Sequence, residues 1–292
     1  MPTRRAFLVQ SGRALAAGWA AGPVLAFAAR SPLAWPGPIG LQIYTVRDAY
    51  ARDPARTLDQ VAAIGYREVE LIDMARFPAQ QLNADLRHAG LAAVSGHFGL
   101  PHPGADWQKN IAIAQALRLR YMICPFATAS TADGWRRIAD GFNQAGRQCQ
   151  AAGLTFGYHN HLQEFRPVGA TTGYEILMTH TDPALVKFEM DVFWVTYAGQ
   201  DPVALMQRYA GRYPLLHIKD MKRGLHVNPR QFPRNNVNPF APAGQGKIDW
   251  KRVFAHVHQA GTRHIFVEQD RCDGPPMAAA GASYRYLRAL RG

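Results

Sequence analysis

The chain has 292 residues, 48% of them hydrophobic and 18% charged, with a formal net charge of +12. That length can bury one large core, and no segment is of low complexity or a long block of one charge, which excludes a largely disordered protein. Cys124, Cys149 and Cys272 are odd in number and show no C-x-x-C spacing, which excludes a disulfide framework and a cysteine zinc site; they read as buried or free thiols.

In chain order, residues 1–30 place Arg4 and Arg5 ahead of Phe7 and Leu8, followed by a weakly apolar run rich in Ala and Gly that closes on Ala26 and Ala28. This is the pattern of a twin-arginine export signal cut after about Ala28, and it implies a periplasmic protein. The apolar run is weaker than the ~20 strongly apolar residues of a membrane span, so no stable membrane anchor is expected. Proteins exported by this route are already folded, often around a metal or cofactor. The signal holds four arginines and no acid, so residues 31–292 keep a charge of +8, compatible with anionic ligands and equally with scattered surface arginine. Residues 31–38 read as a Pro-rich linker and 39–292 as one folded domain.

From Ile39 onward the chain repeats a helical pattern, a glycine and a strand. Near-identical endings (AAIG, RHAG, QAAG, HQAG) put Gly65, Gly90, Gly153 and Gly261 just past helices, where a left-handed residue turns the chain back toward a sheet. The strands are expected at 39–44, 68–72, 91–97, 121–126, 154–160, 185–191, 214–220 and 264–269. Helices are expected near 54–64, 78–89, 106–117, 131–151, 171–181, 201–211, 249–260 and 277–290. Unbroken alternation of this kind specifies a single (β/α)8 TIM barrel, an α/β fold. A doubly wound open sheet would show a Gly-rich phosphate turn after its first strand, and QIYTVRDAY has none.

In such a barrel the carboxyl ends of the strands share one mouth. Gln42 and Tyr44, Glu70, His97, His159, Asp191, His217 and Glu268 all fall at strand ends. Two imidazoles and two carboxylates, His159, Asp191, His217 and Glu268, make a donor set suited to one divalent ion: Mn2+ foremost, with Co2+, Zn2+ or Fe2+ and, less readily, Mg2+. An ion held with open positions binds vicinal sugar oxygens and acidifies the hydrogen beside a carbonyl. Proton transfer then needs a base, for which Glu268, Glu164, His161 and Lys219 are the candidates. His161 also reads as a partner to a ligating imidazole, and Lys219 as a partner of Glu189 or Asp191. Gln42 and Glu70 are placed to touch substrate and His97 either to do so or to serve as a capped structural histidine, while Phe98, Phe126, Phe193 and Trp194 read equally as walls of a sugar pocket or as packing. Residues 221–247 form a loop far longer than the usual ~2–6 and rich in Lys and Arg, read as a lid.

The Asp191 strand, HIKDMKR, APAGQGKIDW and FVEQD carry a resemblance to the xylose isomerase-like TIM barrels, which include tagatose 3-epimerase, hydroxypyruvate isomerase and inosose dehydratase. The resemblance covers 39–290, and the G-x-G-x-I-D-W run from Gly244 to Trp250 is its most specific motif. It implies metal ligands at the ends of strands five to eight, here His159, Asp191, His217 and Glu268, and a substrate-binding arginine at Arg223. Tagatose-type epimerases resemble the chain less at the fifth strand, where they look to have Glu as ligand and base and this chain has His159. The implied activity is metal-dependent proton abstraction beside a carbohydrate carbonyl, ending in isomerisation or epimerisation, or alternatively in elimination from a keto-sugar, inosose or 3-keto-glycoside.

Two other classes share this barrel. A nucleic-acid enzyme on this barrel would need more His, Asp and Glu on the early strands, and export removes its substrate, so no nucleic-acid partner is expected. A non-catalytic sugar-binding barrel would lose only thermal stability, not turnover, on removal of metal. A homo-oligomer is compatible with the composition. If the export reading is right, Arg4→Lys combined with Arg5→Lys retains the protein in the cytoplasm, read by fractionation; unchanged export would eliminate it.

Overall fold

The computed structural model describes residues 35–290, apart from 102–104, 226, 229, 230 and 235; the expected export signal and residues 31–34 of the expected linker lie outside them. Trp35, at the far end of that linker, is already buried in the core, with its indole N–H donated to the Pro38 carbonyl at 2.8 Å. Eight parallel strands follow: β1 (Gly40–Gln42), β2 (Glu68–Leu71), β3 (Ala92–His97), β4 (Tyr121–Cys124), β5 (Thr155–His159), β6 (Val186–Asp191), β7 (Leu215–Ile218) and β8 (His264–Val267). They close in sequence order, β8 pairing with β1 through Gly40 and Phe266, so the sheet has no edge.

The surrounding helices start where capping chemistry allows. Asp53, Thr131, Thr172 and Asp201 each accept a backbone N–H at the head of the helices Pro54–Ile64, Ala132–Ala151, Gly173–His180 and Pro202–Arg208. Left-handed backbone at Gly90 (φ 67°) and Gly261 (φ 81°) confirms the expected helix-to-strand turns.

Some boundaries differ from expectation. The first strand stops at Gln42 because its side-chain oxygen accepts the Tyr44 N–H and folds the chain into a short turn, followed by the helix Arg47–Arg52. The helix expected over 249–260 is two pieces, Trp250–Phe254 and Val257–Ala260. A short helix, Val192–Tyr197, starts directly from β6 with Asp191 as its cap. Among the described residues no helix is long and apolar enough to cross a membrane.

Inside the barrel Val94, Tyr121, Ile123, Leu215 and Phe266 pack into an apolar plug. At roughly 2–3 kcal/mol for each large side chain buried, this plug makes the lower lumen dry and rigid. The polar strand ends therefore rest on a low-dielectric floor.

The long connection after β7 is organised by one carboxylate. Asp220 is fully buried and accepts the backbone N–H groups of Met221 (2.7 Å), Gly244 (2.9 Å), Gly246 (3.1 Å) and Ile248 (3.1 Å), and the Trp250 indole N–H (2.9 Å). The G-x-G-x-I-D-W run is thus a wrapper around a charge: a Cβ on Gly246 would lie 2.1 Å from Asp220 Oδ1. Asp220 and Met221 also pair antiparallel with Phe240 and Ala241, and Phe232 meets the ring of Trp194. The expected lid is therefore tied at its base and packed on the helix after β6. Asp220→Ala, which strands several buried donors at once, is expected to cost about 3–5 kcal/mol in urea unfolding. A loss under 1 kcal/mol would show that the wrapper stands without it.

Candidate active site

Strand alternation decides which side chains meet in the mouth. On β5, Tyr158 packs outward into the core and His159 turns inward; on β6, Phe188 and Met190 pack outward and Glu189 and Asp191 turn inward. On β3 the register against β2 slips by one residue between the pairs Val69–Ala93 and Glu70–Ser95. Val94 and Ser95 consequently both face the lumen, the first in the apolar plug and the second donating to Glu70 Oε2 at 2.6 Å. Without that slip the alternation would turn His97 outward.

The result is a buried cluster whose lower tier is Glu70 and Glu189 and whose upper tier is Asp191, Glu268 and Asp270, with His97, His159, His217 and Lys219 between. Glu70 accepts from Gln42 (2.6 Å) and Ser95, and lies 2.8 Å from His217 Nε2 and 3.0 Å from His97 Nε2. Glu189 Oε2 lies 3.2 Å from His97 Nε2, 3.1 Å from His159 Nδ1 and 3.1 Å from His217 Nε2. In the upper tier, His217 Nδ1 is 2.9 Å from Glu268 Oε2, and Asp191 Oδ2 is 3.8 Å from His159 Nε2 and 4.0 Å from His217 Nδ1. Lys219 Nζ lies 2.9 Å from Asp191, 2.5 Å from Glu268 and 3.0 Å from Asp270. Those three contacts are charge-paired at hydrogen-bond distance.

Five carboxylates face this one small volume, and the protonation equilibria register the crowding. Burial, reinforced by Glu268, raises the Asp191 carboxyl to about 6 against the opposing pull of Lys219 and His217. Burial also raises Asp270. Burial works against the Glu268 carboxylate, yet Lys219 and His217 together hold its carboxyl well below the usual range. Burial disfavours cationic imidazole everywhere here, and it keeps His159 neutral and brings His161 down to about 3. At His97 the charges of Glu70 and Glu189 override burial and raise the ring to about 9; at His217 the charges of Glu189 and Glu268 do the same.

A cleft of about 530 Å³ opens onto this cluster, lined by Tyr44, Arg47, Arg76, His97, Phe98, His159, His161, Glu268 and Asp270 among others. The His161 ring lies beside His159 (4.7 Å between centroids), and its Nδ1 has no hydrogen-bond partner among the described residues. His97, His161 and Glu268 therefore face the cleft as expected of groups that meet substrate.

Several expectations are corrected. Glu164 does not reach the mouth: its carboxylate accepts the Tyr158 hydroxyl on the helix-facing side of β5 and the His161 backbone N–H, so it cannot receive a proton from the cleft. Lys219 is held as an ammonium by its three carboxylate neighbours against the opposing effect of burial. Gln42 and Glu70 have no exposed surface and hold the His97 and His217 rings from below. Trp194 is buried behind His161 and Lys219 and does not line the cleft. Arg223 sits in an exposed turn before Gly224, beyond the ribbon that leads the chain off the barrel axis; the arginines lining the cleft are Arg47 and Arg76. Arg47 was legible only as part of QIYTVRDAY. Its guanidinium stacks 4.2 Å over Tyr44 and donates to the Asp270 carbonyl.

A closed parallel barrel with its ionisable groups gathered at the carboxyl-terminal mouth is the architecture of the TIM-barrel enzymes. Residues 58–290 match the profile of the xylose isomerase-like TIM barrels, and the chain belongs to that family. Inosose dehydratase of Clostridium beijerinckii is 27% identical over 168 residues, covering 54% of this chain and 55% of that protein. The Lacticaseibacillus casei inosose dehydratase is 30% identical over 169 residues, with 54% and 55% covered. The chain thus spans about half the length of the curated relatives it matches. A solved sugar phosphate isomerase/epimerase from Parabacteroides distasonis superposes with a TM-score of 0.75 at 27% identity, covering 88% of this chain and 100% of that one. The IolI protein, solved with a zinc atom bound, superposes at 0.67 over 87% of this chain and 98% of its own, but at 12% identity this likeness concerns the fold alone.

The electrostatics set a pH dependence for protein stripped of metal by chelator. The His97 value of about 9 in the fold exceeds its ordinary 6.5, so the contribution of its cation is complete below pH 6.5 and is lost as pH rises through 9. Urea unfolding is expected to weaken by about 1–3 kcal/mol between pH 6 and 9.5, and His97→Gln to flatten that slope. An equal slope in the variant would assign the effect elsewhere.

Proposed function

We propose that this chain is a divalent-metal-dependent carbohydrate enzyme, exported to the periplasm, that removes the proton beside a sugar carbonyl and then expels a β-oxygen. The observation that carries the reading is the upper tier of the mouth, where donor atoms of Asp191, His217 and Glu268 all lie within 4.8 Å of one another. His159 Nε2, 3.8 Å from Asp191 Oδ2 but outside that group, would be the fourth donor. The fit to a cation is chemical as well as geometric: five carboxylates face this volume, and with His217 as a neutral ligand only Lys219 and His97 are left to oppose them.

His159, Asp191, His217 and Glu268 would hold the ion; the mixed nitrogen and oxygen set suits Mn2+, Zn2+, Co2+ or Fe2+. Such an ion supplies Lewis acidity toward neighbouring carbonyl and hydroxyl oxygens. Glu268, kept ionised by Lys219 and facing the cleft, accepts the proton. Its low basicity is tolerable because that proton is itself acidified. His97, cationic and on β3, donates a proton to the departing oxygen. His161, neutral and with a free ring nitrogen, orients a hydroxyl. Phe98 and Tyr44 wall the cleft against water, and Arg47 borders it. The arrangement is one-sided, with a carboxylate on β8 and imidazoles on β3 and β5. That suits abstraction followed by elimination better than exchange between two opposed carboxylates, and it accords with relatives named as dehydratases. The sequence likeness to a sugar phosphate isomerase/epimerase favours the second reading, isomerisation or epimerisation by return of the proton.

Protein purified without chelator is expected to contain one divalent ion per chain by elemental analysis. Glu268→Gln is expected to abolish deuterium uptake from D2O into a keto-sugar, inosose or 3-keto-glycoside, followed by NMR, with the circular dichroism unchanged. An absent metal together with undiminished exchange in the variant would end this reading. An unsaturated product separates elimination from a deuterated epimer.

A further inference from the structure

Glu189 is assigned no part in the chemistry above, yet one of its oxygens is the meeting point of three imidazoles. Its Oε2 lies 3.2 Å from His97 Nε2, 3.1 Å from His159 Nδ1 and 3.1 Å from His217 Nε2. The group has no exposed surface, and its other oxygen, Oε1, has no hydrogen-bond partner among the described residues. No contact is spent on a backbone donor or a lysine.

We propose that Glu189 is the positioning residue that sets the tautomer of the metal-binding His159 imidazole and thereby tunes metal affinity. A carboxylate accepts and does not donate, so the nitrogen facing it carries the hydrogen. At His159 that nitrogen is Nδ1, which leaves the lone pair on Nε2, 3.8 Å from Asp191 Oδ2. His217 faces carboxylates with both nitrogens, Nε2 toward Glu70 and Glu189 and Nδ1 toward Glu268 at 2.9 Å, so Glu189 selects no tautomer there. His97, Glu189, His159 and His217 also bring donor atoms within 4.8 Å of one another. Glu189 Oε2 lies at hydrogen-bond distance from all three of those rings.

The inference rests on the reading that the mouth binds a divalent ion, and the test separates the two. Zn2+ affinity is measured by chelator competition, and histidine tautomers by 15N-edited NMR of metal-free protein, for wild type, Glu189→Ala and Glu189→Gln. Wild type is expected to show neutral His159 with its hydrogen on Nδ1. Glu189→Ala is expected to bind Zn2+ about 10–100-fold more weakly and to show His159 in mixed tautomers. Glu189→Gln, whose amide oxygen can accept at the same place, is expected to recover part of both. Unchanged Zn2+ affinity and tautomers in Glu189→Ala overturn the proposal, as does a weakened affinity with His159 still wholly Nδ1–H. If Glu189→Ala does not fold, Glu189→Gln decides: affinity and tautomers both identical to wild type overturn it. Wild type that takes up no Zn2+ ends the metal reading, while the metal-free tautomers still judge Glu189.

Discussion

Concentrating negative charge on a dry floor is the constraint from which most of this structure follows. Val94, Tyr121, Ile123, Leu215 and Phe266 exclude water from the lower barrel. Immediately above them Glu70, Glu189, Asp191 and Glu268 are buried almost completely. Carboxylates in such a place persist only if cations and N–H donors meet them, because an unpaired buried charge costs several kcal/mol. The chain supplies Lys219 and a set of imidazoles. That supply divides the site into a lower tier held by imidazoles and an upper tier gathered around Lys219.

The division also separates support from chemistry. Gln42, Ser95 and Glu70 form a chain of short hydrogen bonds that ends on His217. Above it, His97, His161 and Glu268 present themselves to the cleft. A comparable division governs the loop after β7: Lys219 serves the mouth, and the next residue, Asp220, faces the other way and gathers the backbone of the segment around Gly244 to Trp250. One tetrapeptide, His217 to Asp220, thus anchors both the site and the connection that borders it, through the alternation of a strand and its extension.

The barrel was legible in the sequence because its signals are local. Helix caps such as Asp53 and Thr131, the glycines that end helices, and short buried runs each report on a few neighbouring residues, and they fell where the strands and helices were expected. The convergence of His159, Asp191, His217 and Glu268 at one mouth was also legible, since a barrel brings strand ends together whatever its details. Errors arose where orientation mattered. Glu164 lies five residues past His159, but the chain turns at Leu162 to Phe165 and carries it behind β5. Arg223 follows a ribbon whose partner strand is 20 residues on in sequence, a pairing no local pattern announces.

By itself, then, the sequence determined the architecture and which residue types would meet, because periodicity, caps and glycines act over one or two turns of chain. Only the tertiary structure decided the roles: that Glu70 and Gln42 lie beneath the rings instead of in the cleft, that Lys219 is locked by three carboxylates, that Arg47 and Arg76 border the opening, and that Glu189 serves three histidines. Those assignments depend on a one-residue slip between β2 and β3 and on distances between strands far apart in sequence. Side-chain direction and the sharing of a single oxygen are properties of packing, and they exist only once the barrel has closed.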